Sequence, residues 1–207
     1  MSGMTPQLLS ALALFGFAAS ITPGPNNTML LGSGANFGLR ASLPHMAGVA
    51  AGFLLLLLAV GLGLGGLFTA FPVLHTALAW AGTLYLLYLA GRIALSSGPV
   101  TRKDGARPTR FGEALVFQAV NPKGWAMAVG AMTAYAPAQH YLLNVVIVVL
   151  VFGLVNTPCI FAWTLFGVSM RRFLDRAAVL RGFNIAMAAL LVLSLIPGLH
   201  ELVAKPA

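Results

Sequence analysis

The chain has 207 residues, of which 59% are hydrophobic and only 8% charged. Soluble domains carry about a quarter charged residues, so too few polar side chains are present to coat a water-facing surface. An ordinary soluble enzyme and a disordered chain are excluded. Twelve Lys and Arg against four Asp and Glu leave a net charge of +8. These charges sit in connections between apolar runs, so they mark membrane topology, and nucleic acid is excluded as a partner. One cysteine, Cys159, excludes a disulfide framework and a Cys-rich metal site. No cofactor is implied.

In chain order, Met1 to Leu39, Ala41 to Gly91, Gly124 to Met170 and Gly182 to His200 carry no charge. A membrane helix needs about 20 apolar residues, so the second and third runs are each long enough for two passes. Their midpoints hold turn chemistry, Ala70-Phe71-Pro72 and Ala136-Pro137-Ala138. Six spans are expected, at 6–36, 43–69, 73–96, 111–135, 141–169 and 179–199. The first is read as a span and not as a cleaved signal, because no basic segment precedes it. The predicted fold class is an all-α integral membrane protein of six transmembrane helices.

The basic residues set the orientation. Arg40 lies between spans 1 and 2; Arg92, Arg102, Lys103, Arg107 and Arg110 lie between spans 3 and 4; Arg171, Arg172, Arg176 and Arg181 lie between spans 5 and 6. Connections 2–3 and 4–5 have none, and Lys205 is alone in the C-terminal tail. Basic loops stay cytoplasmic, which places both termini in the periplasm. Six spans divide into three plus three, and an odd number per half requires the second half to be inverted. The expected organisation is one transport domain, 1–207, with repeat A at 1–96, a cytoplasmic loop at 97–110 and repeat B at 111–207.

Two segments depart from helical chemistry inside their spans. The first reads ITPGPNN, Ile21 to Asn27. The preceding stretch, Leu8 to Ile21, spans about 21 Å as a helix, short of a hydrocarbon core of about 30 Å. Pro23 and Pro25 remove two backbone donors and clash with the turn before them, so the chain should unwind at depth. The second segment reads FQAVNPKGW, Phe117 to Trp125. Asn121 before Pro122 is the signature of a helix start, with Asn as N-cap and Pro in the first helical position. Helices 1 and 4 are therefore expected to be broken. Each new half-helix offers unpaired N–H groups and a partial positive charge, which suit a carboxylate. Lys123 supplies a full charge, and Asn26, Asn27, Gln118, Asn121 and Asn156 supply donors and acceptors. Gly48 with Gly52, and Gly61 with Gly65, are read as sites of close helix packing. His45, His75, His140 and His200 lie near span ends and are placed at the headgroup level.

TPGPNN at 22–27, NPK at 121–123 and AWAGTLYLLYLAGRI at 79–93 together resemble the LysE/RhtB family of bacterial amino-acid exporters, and within it the cysteine/O-acetylserine branch. The resemblance implies an inner-membrane secondary transporter of small amino acids or their derivatives, with proton coupling and with the lipid bilayer as its surroundings. A homo-oligomer is compatible with it. It points to Thr22, Pro23, Gly24, Pro25, Asn26, Asn27, Asn121, Pro122 and Lys123 as motif positions, with similar residues at Gln118 and Asn156. Where many members carry an acidic residue in span 2 or 5, this chain has none, which argues against a cationic substrate and for small neutral amino acids. The competing expectations are a membrane-embedded enzyme, for which the polar set is thin, and a transporter of another small anionic metabolite. A metal exporter would need His, Cys or carboxylate clusters in its spans, and the sequence offers none.

Overall fold

The computed structural model describes residues 4–64, single positions between 70 and 95, and residues 107–170 and 177–204. Every regular element among them is helical: α1 (Pro6–Ile21), α2 (Pro25–Ala59), α3 (Phe111–Phe117), α4 (Pro122–Tyr135), α5 (Tyr141–Met170) and α6 (Ala177–Ala204). Most of the expected third span, the loop residues 97–106, Gly65, Arg171, Arg172, Arg176 and Lys205 lie outside the described residues.

Local chemistry explains the boundaries. Thr5 caps α1, its hydroxyl accepting from the Leu8 amide at 3.2 Å, with Pro6 in the first helical position. The helix stops at Ile21 because Pro23 forces the residue before it out of the helical region; Thr22 has ψ 137°. The chain is fully extended at Gly24 and turns helical again at Pro25. Helix α3 begins where the Glu113 carboxylate accepts from the Arg110 amide at 3.0 Å, while Arg107 donates to the same carboxylate at 2.9 Å.

The first two expected spans divide differently from their sequence boundaries. Helical structure runs from Pro25 through the expected 37–42 connection, and the direction changes at a single residue, Gly38 (φ 79°, ψ 173°). That conformation is open essentially to glycine alone. In the second span, whose expected remainder 65–69 lies outside the described residues, the α-helix ends at Ala59 and passes into a π-helical turn, Val60–Leu64, in which Gly63 has φ 111°. The glycine-rich VGLGL sequence permits this. By contrast α5 runs unbroken through Pro158 and matches its expected span closely.

Among the described residues, large apolar side chains face outward while several polar ones are buried. Leu142, Leu150 and Leu154 of α5 are 64%, 61% and 76% exposed, whereas Ser42, Gln118, Asn121, Asn144 and Thr164 are buried. By length and composition, residues 25–63 and 141–170 are able to cross a membrane. The main apolar core gathers around Phe152 of α5, with Leu12, Phe53, Leu57, Met132 and Val148. The Phe53 and Phe15 rings meet Phe152 edge-on at 5.6 and 6.2 Å.

Small residues let backbones touch. Gly34 of α2 lies against the Thr164 carbonyl, and Gly167 of α5 against the Leu31 carbonyl, so α2 and α5 cross through a reciprocal pair of glycines. Gly48 abuts the Phe111 carbonyl. A Cβ at Gly52 would lie 2.7 Å from Gln118 Cγ and 2.8 Å from the Leu115 carbonyl oxygen. The Gly48 and Gly52 contacts bring α3 onto α2 and set the second helix interruption beside the first.

Candidate functional site

Where a helix ends inside a protein, its last carbonyls need new partners. At the end of α1 they are supplied from four directions. The Thr22 amide donates to the Ala18 carbonyl at 3.3 Å, joined by the Thr22 hydroxyl. Asn27 Nδ2 donates to the Ser20 carbonyl at 2.7 Å and to the Thr22 carbonyl at 2.8 Å. Trp163 Nε1, from α5, donates to the Ile21 carbonyl at 3.1 Å. Lys123 Nζ, from the first turn of α4, donates to the Thr22 carbonyl at 2.6 Å and the Pro23 carbonyl at 3.3 Å. Carbonyls freed at a helix end inside a protein are tolerated only when they are partnered in this way.

The second interruption is a 3-10 turn, Gln118–Val120, followed by Asn121 at ψ 104°. The Asn121 amide donates to the Gln118 carbonyl at 3.4 Å, and Trp125 Nε1 donates to the Ala119 carbonyl at 2.9 Å. Asn121 stands in the N-cap position of α4, as its pairing with Pro122 predicts, but its side chain makes no cap bond. Its carboxamide turns instead toward Gln118, with Nδ2 3.4 Å from Oε1.

The two interruptions touch, although about a hundred residues separate them. Asn26 and Gln118 exchange two side-chain hydrogen bonds: Asn26 Nδ2 donates to Gln118 Oε1 at 2.9 Å, and Gln118 Nε2 donates to Asn26 Oδ1 at 3.1 Å. Gln118 Nε2 also donates to the Ala114 carbonyl at 3.0 Å, which fixes its orientation.

A cavity of about 30 Å³ lies at this junction. Its polar wall holds Ser20, Asn26, Asn27, Asn121, Lys123 and Asn156; its apolar wall includes Val49, Phe53, Met127 and Ile160. Ser20 Oγ and Asn121 Oδ1 are buried without a hydrogen-bond partner. The first helical bond of α2 runs from the Thr28 amide to the Gly24 carbonyl, and that of α4 from the Trp125 amide to the Asn121 carbonyl. The backbone amides of Asn26, Asn27, Lys123 and Gly124 precede those bonds, so both helix N-termini lie at the cavity.

Of the residues singled out in the sequence, Gly24, Pro25, Asn26, Asn27, Asn121, Lys123 and Asn156 line the cavity. Thr22 and Pro23 border it through the carbonyls that hold Lys123, Gln118 stands behind it as the partner of Asn26, and Pro122 opens α4. Ser20, Phe53 and Trp163 were not singled out. Ser20 and Trp163 are ordinary residues on apolar helices, and only the fold brings them to the break. His45 lies in α2, 1% exposed, with neither ring nitrogen bonded. His140, in the 136–140 connection, is exposed.

A protein that turns apolar side chains outward and keeps polar ones around an internal cavity is built for lipid and belongs with the membrane carriers. The sequence matches the LysE type translocator family over residues 9–194, and the chain belongs to that family; it is a transport protein and not an enzyme. It is similar to the cysteine/O-acetylserine efflux proteins of Escherichia coli (strain K12) and Shigella sonnei (strain Ss046), at 34% identity in each case. The alignments cover 91% of this chain and 96% of each relative. The corresponding protein of Shigella flexneri matches to the same extent. No solved structure matches the chain significantly.

Proposed function

We propose that this chain exports small neutral amino acids, or close derivatives of them, across the inner membrane, driven by the proton gradient and working through the cavity between the two interrupted helices. The observation that carries the proposal is that one cavity offers groups for both ends of a zwitterion. The N-termini of α2 and α4, with Lys123, attract a carboxylate. The Thr22 and Pro23 carbonyls, Ser20 Oγ and Asn121 Oδ1 accept from an ammonium. Among the described residues no Asp or Glu lines the cavity, so a second ammonium on the substrate, as in lysine, would meet no counter-charge there, and burying it would be costly. The similarity to cysteine/O-acetylserine efflux proteins supports an uncharged, small side chain.

The architecture that fits this role has six spans in two inverted halves of three, within one domain, with helices 1 and 4 broken at mid-membrane and both termini periplasmic. The similar construction of the two interruptions supports it: each precedes a proline-started helix, and each has a tryptophan indole on a freed carbonyl, Trp163 on Ile21 and Trp125 on Ala119. The placement of Arg107 and Arg110 ahead of α3, of Arg40 beside the Gly38 turn and of Arg181 in the first turns of α6 supports the orientation. The space of about 30 Å³ between the two segments has room for roughly one or two waters.

Efflux of a radiolabelled panel from cells overproducing the protein tests the proposal. Serine, cysteine and O-acetylserine should leave faster than from control cells, while lysine and propionate should not, and a protonophore should abolish uphill export. Export of lysine or propionate at the rate of serine would refute the substrate class. Undiminished uphill export with the proton gradient collapsed would refute the coupling.

A further inference from the structure

We infer that Lys123 is an internal stand-in for the substrate's own ammonium group: it holds the carbonyls of Thr22 and Pro23, and a bound zwitterion takes those carbonyls over while Lys123 turns to the substrate's carboxylate. The inference rests on the exporter reading of this cavity.

The geometry around Nζ is that of an occupied ammonium site. It donates to the two carbonyl oxygens, at 2.6 and 3.3 Å, and among the described residues no carboxylate joins them. The side chain lies flat on the first interruption: a Cβ at Gly24 would fall 2.7 Å from Lys123 Cδ and 3.1 Å from Nζ. Gly24 is extended (φ −176°), a conformation any residue adopts, so what calls for a missing side chain there is the lysine lying over it. The Thr22 carbonyl is also held by Asn27 at 2.8 Å, so its direction is maintained when Lys123 departs. Ser20 Oγ and Asn121 Oδ1, unpaired and buried in the same cavity wall, stand ready as further acceptors.

The exchange explains selection for a zwitterion. One ammonium replaces another on the same oxygens, so the carbonyls stay satisfied, and the released lysine meets the carboxylate that arrived with its replacement. An amine without a carboxylate would leave two ammonium groups in one cavity with no counter-charge. A carboxylate without an amine would draw Lys123 away, leaving the Pro23 carbonyl without its donor and the Thr22 carbonyl with Asn27 alone. The ligand class is thus an α-amino acid, and Lys123 is its specificity-determining residue.

Titration calorimetry on the purified protein in detergent, with serine, ethylamine and propionate as probes, tests this. The wild type should bind serine and should bind ethylamine and propionate at least about tenfold more weakly. Lys123→Met should lose affinity for serine yet gain ethylamine binding by about tenfold or more, because the carbonyls are vacant and the competing charge is gone. Gly24→Ala should push Lys123 off the carbonyls and so tighten propionate binding several-fold, with ethylamine still rejected. If Lys123→Met does not fold, the Gly24→Ala protein decides alone. Serine binding by the wild type, with no gain of ethylamine in Lys123→Met and no gain of propionate in Gly24→Ala, would overturn the inference and leave the exporter reading standing. A wild type that binds none of the small neutral amino acids would overturn that reading itself.

Discussion

The Asn26–Gln118 pair joins the two interruptions, and its strength is measurable. Gln118→Ala removes both bonds across the junction, at 2.9 and 3.1 Å, together with the bond to the Ala114 carbonyl at 3.0 Å. A neutral hydrogen bond contributes about 1 kcal/mol net, and side-chain bonds between membrane helices average about 0.6 kcal/mol. Two of them should couple by about 1–2 kcal/mol. The single substitution also deletes side-chain packing and the Ala114 bond, so it reports too large a loss. A double-mutant cycle with Asn26→Ala cancels those contributions and isolates the pair. Reversible unfolding in mixed micelles of the wild type, both single variants and the double variant supplies the four free energies. Additivity within about 0.3 kcal/mol would refute the pairing that places the two motifs in contact.

Other expectations follow from the same geometry. Gly52→Ala sets a methyl group against the Leu115 carbonyl and Gln118 Cγ at under 3 Å; because backbone cannot yield cheaply there, unfolding in micelles should show a loss of about 1–3 kcal/mol, and efflux should fall with it. The double replacement Pro23→Ala and Pro25→Ala favours a continuous helix by about 3 kcal/mol per site; the protein should reach the membrane in normal amounts on an immunoblot and export nothing. Arg107→Ala breaks the ion pair with Glu113, whose side chains are 50% and 45% exposed; so solvated a pair contributes little, and efflux and thermal stability should match the wild type.

The fold's helical class was legible because charge is excluded from long runs, a signal that the bilayer imposes on composition. The interruptions were legible for a different reason: proline acts on its own neighbours, so TPGPNN and NPK end or start helices whatever surrounds them. Helix boundaries set by tertiary context were not legible. Gly38 is one of many glycines in the chain, and nothing local distinguishes it as the one that reverses direction. The burial of His45 is a tertiary feature of the same kind. Ser20 and Trp163 reach the junction only because α1 and α5 pack together, a contact made where a Cβ at Gly16 would lie 3.5 Å from Phe152 and by the Trp163–Ile21 bond. Lys123 was expected to meet a carboxylate ligand; its bonds to the Thr22 and Pro23 carbonyls, from the other half of the chain, were not legible.

The central claim is that a small neutral amino acid occupies the cavity between the two interruptions. Ser20 lines that cavity and carries an unpaired hydroxyl, so Ser20→Cys in a Cys159→Ser background puts a single thiol at the proposed site. The rate at which a small, membrane-permeant alkylating reagent modifies this thiol is then measured with and without serine, with lysine as control. Occupancy of the cavity predicts slowing that saturates over the concentration range in which serine is exported, and no slowing by lysine. An alkylation rate indifferent to serine, in a protein that still exports it, would contradict the account.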